Sequence, residues 1–205
     1  MKSYNQVQEY LDYLYPDPKC ELNYFNDYSL LIAIMLSSQT KDSRVNKVTK
    51  ILFDKYKDLE SLSKANIKDI KNIIYELGNY NKKASNIIEI SKLLLEKYNG
   101  KVPQDREILS SFPGVGRKTT NVFLSEYYNI PTIAVDTHVE RVSKRLNLVK
   151  KDSNVLEVEQ QLMKNIDTKN YHKFHKQMVL FGRYHCKSKN PECDNCKLKD
   201  ICKRD

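Results

Sequence analysis

From end to end, the apolar residues of this chain recur every three or four positions, a period that leaves room for little but helices. The stretch SLLIAIML (29–36) is apolar on every side, which predicts a short helix buried at the centre of a helical domain. Val45, Val48, Ile51 and Leu52 mark a second face, and Ile67, Ile70, Ile74 and Leu77 a third. The longest stripe runs through Ala84, Ile87, Ile88, Ser91, Leu94, Leu95 and Tyr98, and Asn99-Gly100 reads as its C-terminal stop. Ile108, Leu109 and Phe112 predict a short helix ended by Pro113-Gly114, with another beginning near Arg117. IPTIAV (130–135) reads as extended, and Thr137-His-Val-Glu140 has the form of a capping box. Val155, Val158, Leu162 and Ile166 mark one late helix, and Phe174, Met178 and Phe181 another. Alternating strand pairs, hairpin dipeptides, repeats and Pro/Gly/Ser-rich linkers are all missing from the sequence, so the fold class is all-α. Composition shows no domain boundary.

Four of the five cysteines fall within residues 186–202, spaced C-x6-C-x2-C-x5-C. The N-terminal stretch is amphipathic and lacks the apolar core of a signal peptide, and no run is long enough to span a membrane. That combination predicts a cytoplasmic protein, where disulfides are rare. The cysteines then read as ligands of a metal site, and four thiolates suit zinc and iron–sulfur clusters alike. His185 adjoins Cys186 but is surplus to a complete set, and Cys20 reads as a lone thiol. The net charge of +9 favours a polyanionic partner.

Three further stretches carry candidate chemistry. In FPGVGRKTTNVFL (112–124), Gly114, Val115 and Gly116 form a turn, and Arg117 and Lys118 open a helix. Backbone N–H groups at such a turn can hold a phosphate oxygen without reading sequence. A plain helix–turn–helix corner with two exposed cations is the other reading. Asp136, in PTIAVDTHVERV (131–142), is either a helix N-cap or a catalytic carboxylate. Gln39, in LSSQTKD (36–42), either ends a helix in water or lines a cleft.

The hairpin stretch resembles the helix-hairpin-helix DNA-binding motif. LLIAIMLSSQTKD, GNYNKKASNI, FPGVGRKTTNV, PTIAVDTHVERV and the cysteine loop, in that order, resemble the endonuclease III family of DNA glycosylase/AP lyases. The resemblance runs from about residue 28 to residue 202. It implies two helical domains: a six-helix barrel over 23–130 with the helix-hairpin-helix at about 105–128, and an iron–sulfur domain built from 1–22 plus 131–205. It implies a [4Fe–4S] cluster on Cys186, Cys193, Cys196 and Cys202, structural in role, that pins a basic loop with Lys187 and Lys189 near the DNA backbone. Lys118 matches the family's nucleophilic lysine, and Asp136 its catalytic carboxylate. Gly114, Val115, Gly116 and Arg117 would hold the DNA backbone, and Gln39 matches one of two residues that enter the helix. The implied partner is double-stranded DNA with damaged pyrimidines or abasic sites, bound by a monomer at the nucleoid of a prokaryote.

Two positions depart from the family pattern. Thr120 stands where Ala is usual, and Asn79 where a bulky apolar wedge is common. Two other readings compete. One is an adenine glycosylase of the same superfamily, disfavoured by the lysine at 118. The other is a catalytically silent DNA-binding protein with a structural zinc.

Overall fold

The computed structural model describes residues 2–203, with side chains from Ser3 onward. Among these residues every regular element is helical, and no helix is long and apolar enough to cross a membrane. Contacts divide the chain into two units. One is Glu21–Tyr128; the other joins the segment up to Cys20 with the segment from Asn129 onward.

The Glu21–Tyr128 unit holds α2 (Asp27–Leu36), α3 (Asp42–Lys55), α4 (Leu59–Ser63), α5 (Ile67–Ile73), α6 (Tyr80–Tyr98), α7 (Arg106–Ser110) and α8 (Arg117–Tyr128). All ten residues of α2 are buried, as its unbroken apolar sequence predicts. Its start is fixed by a reciprocal cap: the Asn26 side chain accepts from the Ser29 N–H at 3.0 Å, and Ser29 Oγ accepts from the Asn26 N–H at 3.0 Å. The α6 helix packs against α2, α4 and α5. It stops where expected, with Asn99 (φ 51°) and Gly100 (φ 72°) left-handed and the Gly100 N–H donating back to Leu94 O at 2.9 Å. The α4 helix has five residues, too few to display a period. A local cap between Asp58 and Ser61 makes it, and the hydrophobic pattern gave no sign of it.

The second unit holds α1 (Lys2–Leu14), α9 (Thr137–Arg145), α10 (Val155–Asn165) and α11 (Tyr171–Leu180), followed by a π-helical turn at Phe181–His185. Val7 and Leu11 of α1 share one core with Val139 and Val142 of α9, Phe174 of α11 and Phe181. Polar ties hold α1 in place: the Tyr4 hydroxyl donates to Leu148 O, and Gln177 Nε2 donates to Asp12 Oδ1 at 2.9 Å. Residues 130–135 are irregular, with Ile133, Ala134 and Val135 buried. The capping box expected at Thr137 is not what starts α9. Asp136 is the N-cap and Thr137 the first helical residue, so Val139 stands at the third position and cannot reciprocate. Glu140 pairs with Lys144 instead, at 2.7 Å.

Candidate functional site

Phe112 and Val115 anchor the turn between α7 and α8 by burying their side chains, and the Val115 N–H closes it on Phe112 O at 3.0 Å. Gly114 is required twice over. Its φ is +74°, and a Cβ there would stand 2.2 Å from Asn86 Nδ2 and 3.4 Å from Met35 Cγ. At Gly116 a Cβ would meet nothing within 4 Å, so that side of the turn is open. The N–H groups that follow belong to the first turn of a helix, whose donors have no intrahelical acceptor. Arg117 and Lys118 occupy the first two positions of α8, and both are exposed. Thr120, the residue where the family favours Ala, is fully buried, and its hydroxyl shares a 3.0 Å hydrogen bond with Ser110 of α7. With Arg106 donating to Asn121 at 2.6 Å, that pair locks the two helices of the hairpin together.

Gln39 and Asn79 are both exposed and both left-handed, at φ 56° and φ 60°. Asn tolerates that region, whereas Gln there costs on the order of 1–3 kcal/mol. Gln39 is third in a turn that Thr40 N–H closes on Ser37 O at 3.1 Å, a place where Gly or Asn is usual. Asn79 is the N-cap residue of α6, yet its side chain makes no capping bond. Neither side chain is spent on its own backbone. Between the two lies a residue the hydrophobic pattern passed over. Lys83 is 6% exposed, and its ammonium donates to Leu36 O and Ser38 O, both at 2.9 Å. One signal was present in the sequence: Lys83 keeps register with Ile87, Ile90 and Leu94, so it belongs to the stripe that faces inward.

Asp136 lies in the other unit, half-buried at the head of α9. Its Oδ1 accepts from the His138 and Val139 N–H groups, each at 2.8 Å. Beside it, burial holds the His138 imidazole below its usual pKa, against the opposing pull of the Asp136 charge. The α9 helix and the π-helical turn approach closely because Gly182 has no side chain: a Cβ there would sit 2.7 Å from His138 Cβ.

That contact delivers the cysteine loop to α9. Arg141 donates to Gly182 O at 2.8 Å and Cys186 O at 3.1 Å. Arg145 donates to Cys186 Sγ at 3.4 Å and Lys187 O at 2.8 Å. Cys186 belongs to the core of this unit, and Cys196 and Cys202 pack against it. Burial pushes the Cys196 thiol up, and the nearby sulfurs of Cys186, Cys202 and Cys193 add to the rise. Among the described residues the side chains do not converge into a closed metal-binding group. Lys187 pairs with Glu192 at 2.9 Å across an exposed surface, a contact worth about 0–1 kcal/mol and easily exchanged for a phosphate. Lys189 is exposed.

Residues 32–168 match the model of the HhH-GPD superfamily of base excision DNA repair proteins. The chain is 43% identical to endonuclease III of Bacillus subtilis (strain 168), over 99% of this chain and 94% of that protein. A solved non-covalent endonuclease III–DNA complex superposes with a TM-score of 0.95 at 44% identity, covering 98% of this chain and 94% of the other. A trapped endonuclease III–DNA covalent intermediate superposes with a TM-score of 0.93 at 45% identity, covering 97% and 95%. With this sequence agreement across almost the whole length, the chain belongs to the endonuclease III family of DNA glycosylase/AP lyases, within the HhH-GPD superfamily of base excision DNA repair proteins.

Proposed function

We propose that this enzyme removes oxidised or ring-saturated pyrimidines from double-stranded DNA through a covalent imine on Lys118, working as a monomer on the cytoplasmic chromosome. The observation that carries the reading is an exposed lysine at the second position of α8, directly behind an open glycine turn. The endonuclease III covalent intermediate with DNA supports it. Gly114, Val115, Gly116 and Arg117 contribute N–H groups and charge to the phosphate backbone, and Lys187 and Lys189 add charge from the cysteine loop.

The damaged nucleotide must leave the stack before its glycosidic bond can be reached. The Lys118 amine then attacks C1′. A new C–N bond forms as the glycosidic bond breaks, and the base departs with the bonding pair and takes up a proton. Opening of the sugar gives an imine. Loss of the C2′ proton drives β-elimination, the C3′–O bond breaks, and water releases the amine. The Asp136 carboxylate stabilises positive charge developing on the sugar, or relays protons as the imine forms. Borohydride added during turnover on a thymine glycol duplex is expected to give a denaturation-resistant protein–DNA adduct. Base release without any adduct would assign a hydrolytic route.

The observed cap sharpens the test of Asp136. Asn caps a helix as well as Asp does, whereas Ala costs about 1 kcal/mol. Asp136→Asn is therefore expected to melt close to wild type and yet release base about a hundredfold more slowly in single turnover. Equal rates for the two proteins would reduce Asp136 to its capping role.

The cysteine set fits a [4Fe–4S] cluster. Four sulfurs are held in one unit, one of them buried and receiving a guanidinium N–H. The thiol at 196 is disfavoured as a thiolate by burial and by its neighbours, an arrangement that metal cations would relieve. Cys186, Cys193, Cys196 and Cys202 would hold the group. When bound, it supplies a cross-link for the loop and no hydrolytic chemistry.

Asn79 sets a preference among lesions. An apolar wedge fills the gap left by an extruded base; Asn fills less but can hydrogen-bond the widowed partner. Lesions that already stack poorly should be processed best. Asn79→Leu is expected to speed a well-stacked oxidised cytosine more than thymine glycol in single turnover. Because φ is +60° there, the same substitution should cost about 1 kcal/mol of stability. Rates that move in parallel would place Asn79 outside the helix.

A further inference from the structure

No step above uses Lys83, yet its surroundings are unusual. The side chain is buried, and among the described residues its partners are carbonyl and hydroxyl oxygens with no carboxylate beside them. A buried cation normally keeps a counter-charge. This one is held entirely by oxygens of a single turn: Leu36 O at 2.9 Å, Ser38 O at 2.9 Å and Thr40 Oγ1 at 3.5 Å. Those three acceptors match the three donors of an ammonium. They also lie at and beyond the C-terminal end of α2, where the helix dipole favours a cation. Burial lowers the pKa of the amine from its ordinary value.

The placement of these oxygens is specific. Ser38 O belongs to the peptide that leads into Gln39, so fixing it fixes the peptide plane from which the left-handed Gln39 projects. The backbone N–H of Lys83 meanwhile donates to Asn79 O at 3.1 Å, closing the first turn of α6. That bond is one any residue here would make, so what is particular to lysine is the grip of its ammonium on the turn that carries Gln39.

We propose that Lys83 is a positioning residue that sets the angle at which Gln39 is presented to the DNA helix. This rests on the reading that the Gln39 side chain enters the helix at the lesion. Methionine has an unbranched apolar stem one atom shorter than lysine and no donors, so Lys83→Met removes the grip and keeps most of the volume.

The test is a double-mutant cycle of Lys83→Met with Gln39→Ala, read as single-turnover base release from thymine glycol at saturating DNA. Lys83→Met is expected to slow wild type about tenfold and to slow the Gln39→Ala enzyme by no more than about twofold. Fluorescence of a 2-aminopurine opposite the lesion, which reports unstacking, should fall with Lys83→Met and stay put when the same change is made in the Gln39→Ala background. An equal factor in both backgrounds overturns the proposal and leaves Lys83 a packing residue. If Gln39→Ala alone changes neither rate nor fluorescence, the inserted-residue reading has failed, and the positioning role goes with it. Should Lys83→Met not fold, Lys83→Leu, which also lacks donors, replaces it in the cycle. Loss of the fold in both variants would also overturn the proposal, by making the ammonium a determinant of the fold.

Discussion

Lys118→Ala is expected to abolish the borohydride-trapped adduct and to cut base release by about three orders of magnitude or more, the scale on which enzymes lose rate when a nucleophile is removed. The fold should be untouched, because the side chain is exposed at the second position of α8 and the hairpin is locked elsewhere, by Ser110–Thr120 and Arg106–Asn121. DNA affinity should fall only by the share of one cation, lowering the log–log salt slope by about one. Lys118→Arg provides the stricter comparison. It keeps the positive charge but never offers a neutral amine, so it should bind DNA normally and still fail to trap. Full trapping by either variant would move the nucleophile to another amine, which peptide mapping of the adduct would identify.

The second large effect is expected at the cysteine loop. Isolated protein should be brown and carry about four iron and four sulfide per chain. Cys196→Ser should lose both. The consequence should reach past the loop, because Cys186 is part of the core that α1, α9 and α11 share, and Cys196 and Cys202 rest against it. Structural metal sites contribute on the order of 10 kcal/mol to small domains, as much as the whole stability of many folds. Hydrogen exchange on the full-length variant is expected to show lost protection in α1, α9 and α11, with α2 and α6 protected as in wild type. Stoichiometric zinc without sulfide in the wild-type protein would overturn the cluster assignment.

Legibility in the sequence followed the range of the interactions involved. The burial of α2 and the stop of α6 could be read because each rests on neighbours in the chain: an unbroken apolar run, and Asn99-Gly100. At the start of α9 the sequence offered both Asp136 and Thr137 as caps, and the backbone gives the bond to Asp136, as one of those readings had it. The glycine turn, Lys118 and the cysteine spacing were visible as motifs, although their roles came by resemblance. Lys83 was missed because a periodicity rule expects apolar residues on a buried face, and its compensating oxygens lie more than 40 residues earlier. The left-handed turn at Gln39 was hidden for a related reason. Gln is not a usual turn residue, and beside the local Thr40–Ser37 bond the ammonium that holds the turn comes from far along the chain.

The discontinuity of the second unit has a consequence for how the chain is made. The first helix emerges from the ribosome with Val7, Tyr10 and Leu11 on one face, and every partner in its core is encoded beyond residue 130. Glu21–Tyr128, by contrast, is complete as soon as it has been synthesised. At typical elongation rates α1 waits roughly 10–40 seconds for Phe174, Phe181 and Leu198 to arrive. Throughout that interval a short amphipathic segment hangs free with its apolar side uncovered. Nascent chains of this protein are therefore exposed to chaperones and proteases at α1 until the segment from Ile133 to Leu198 has been made.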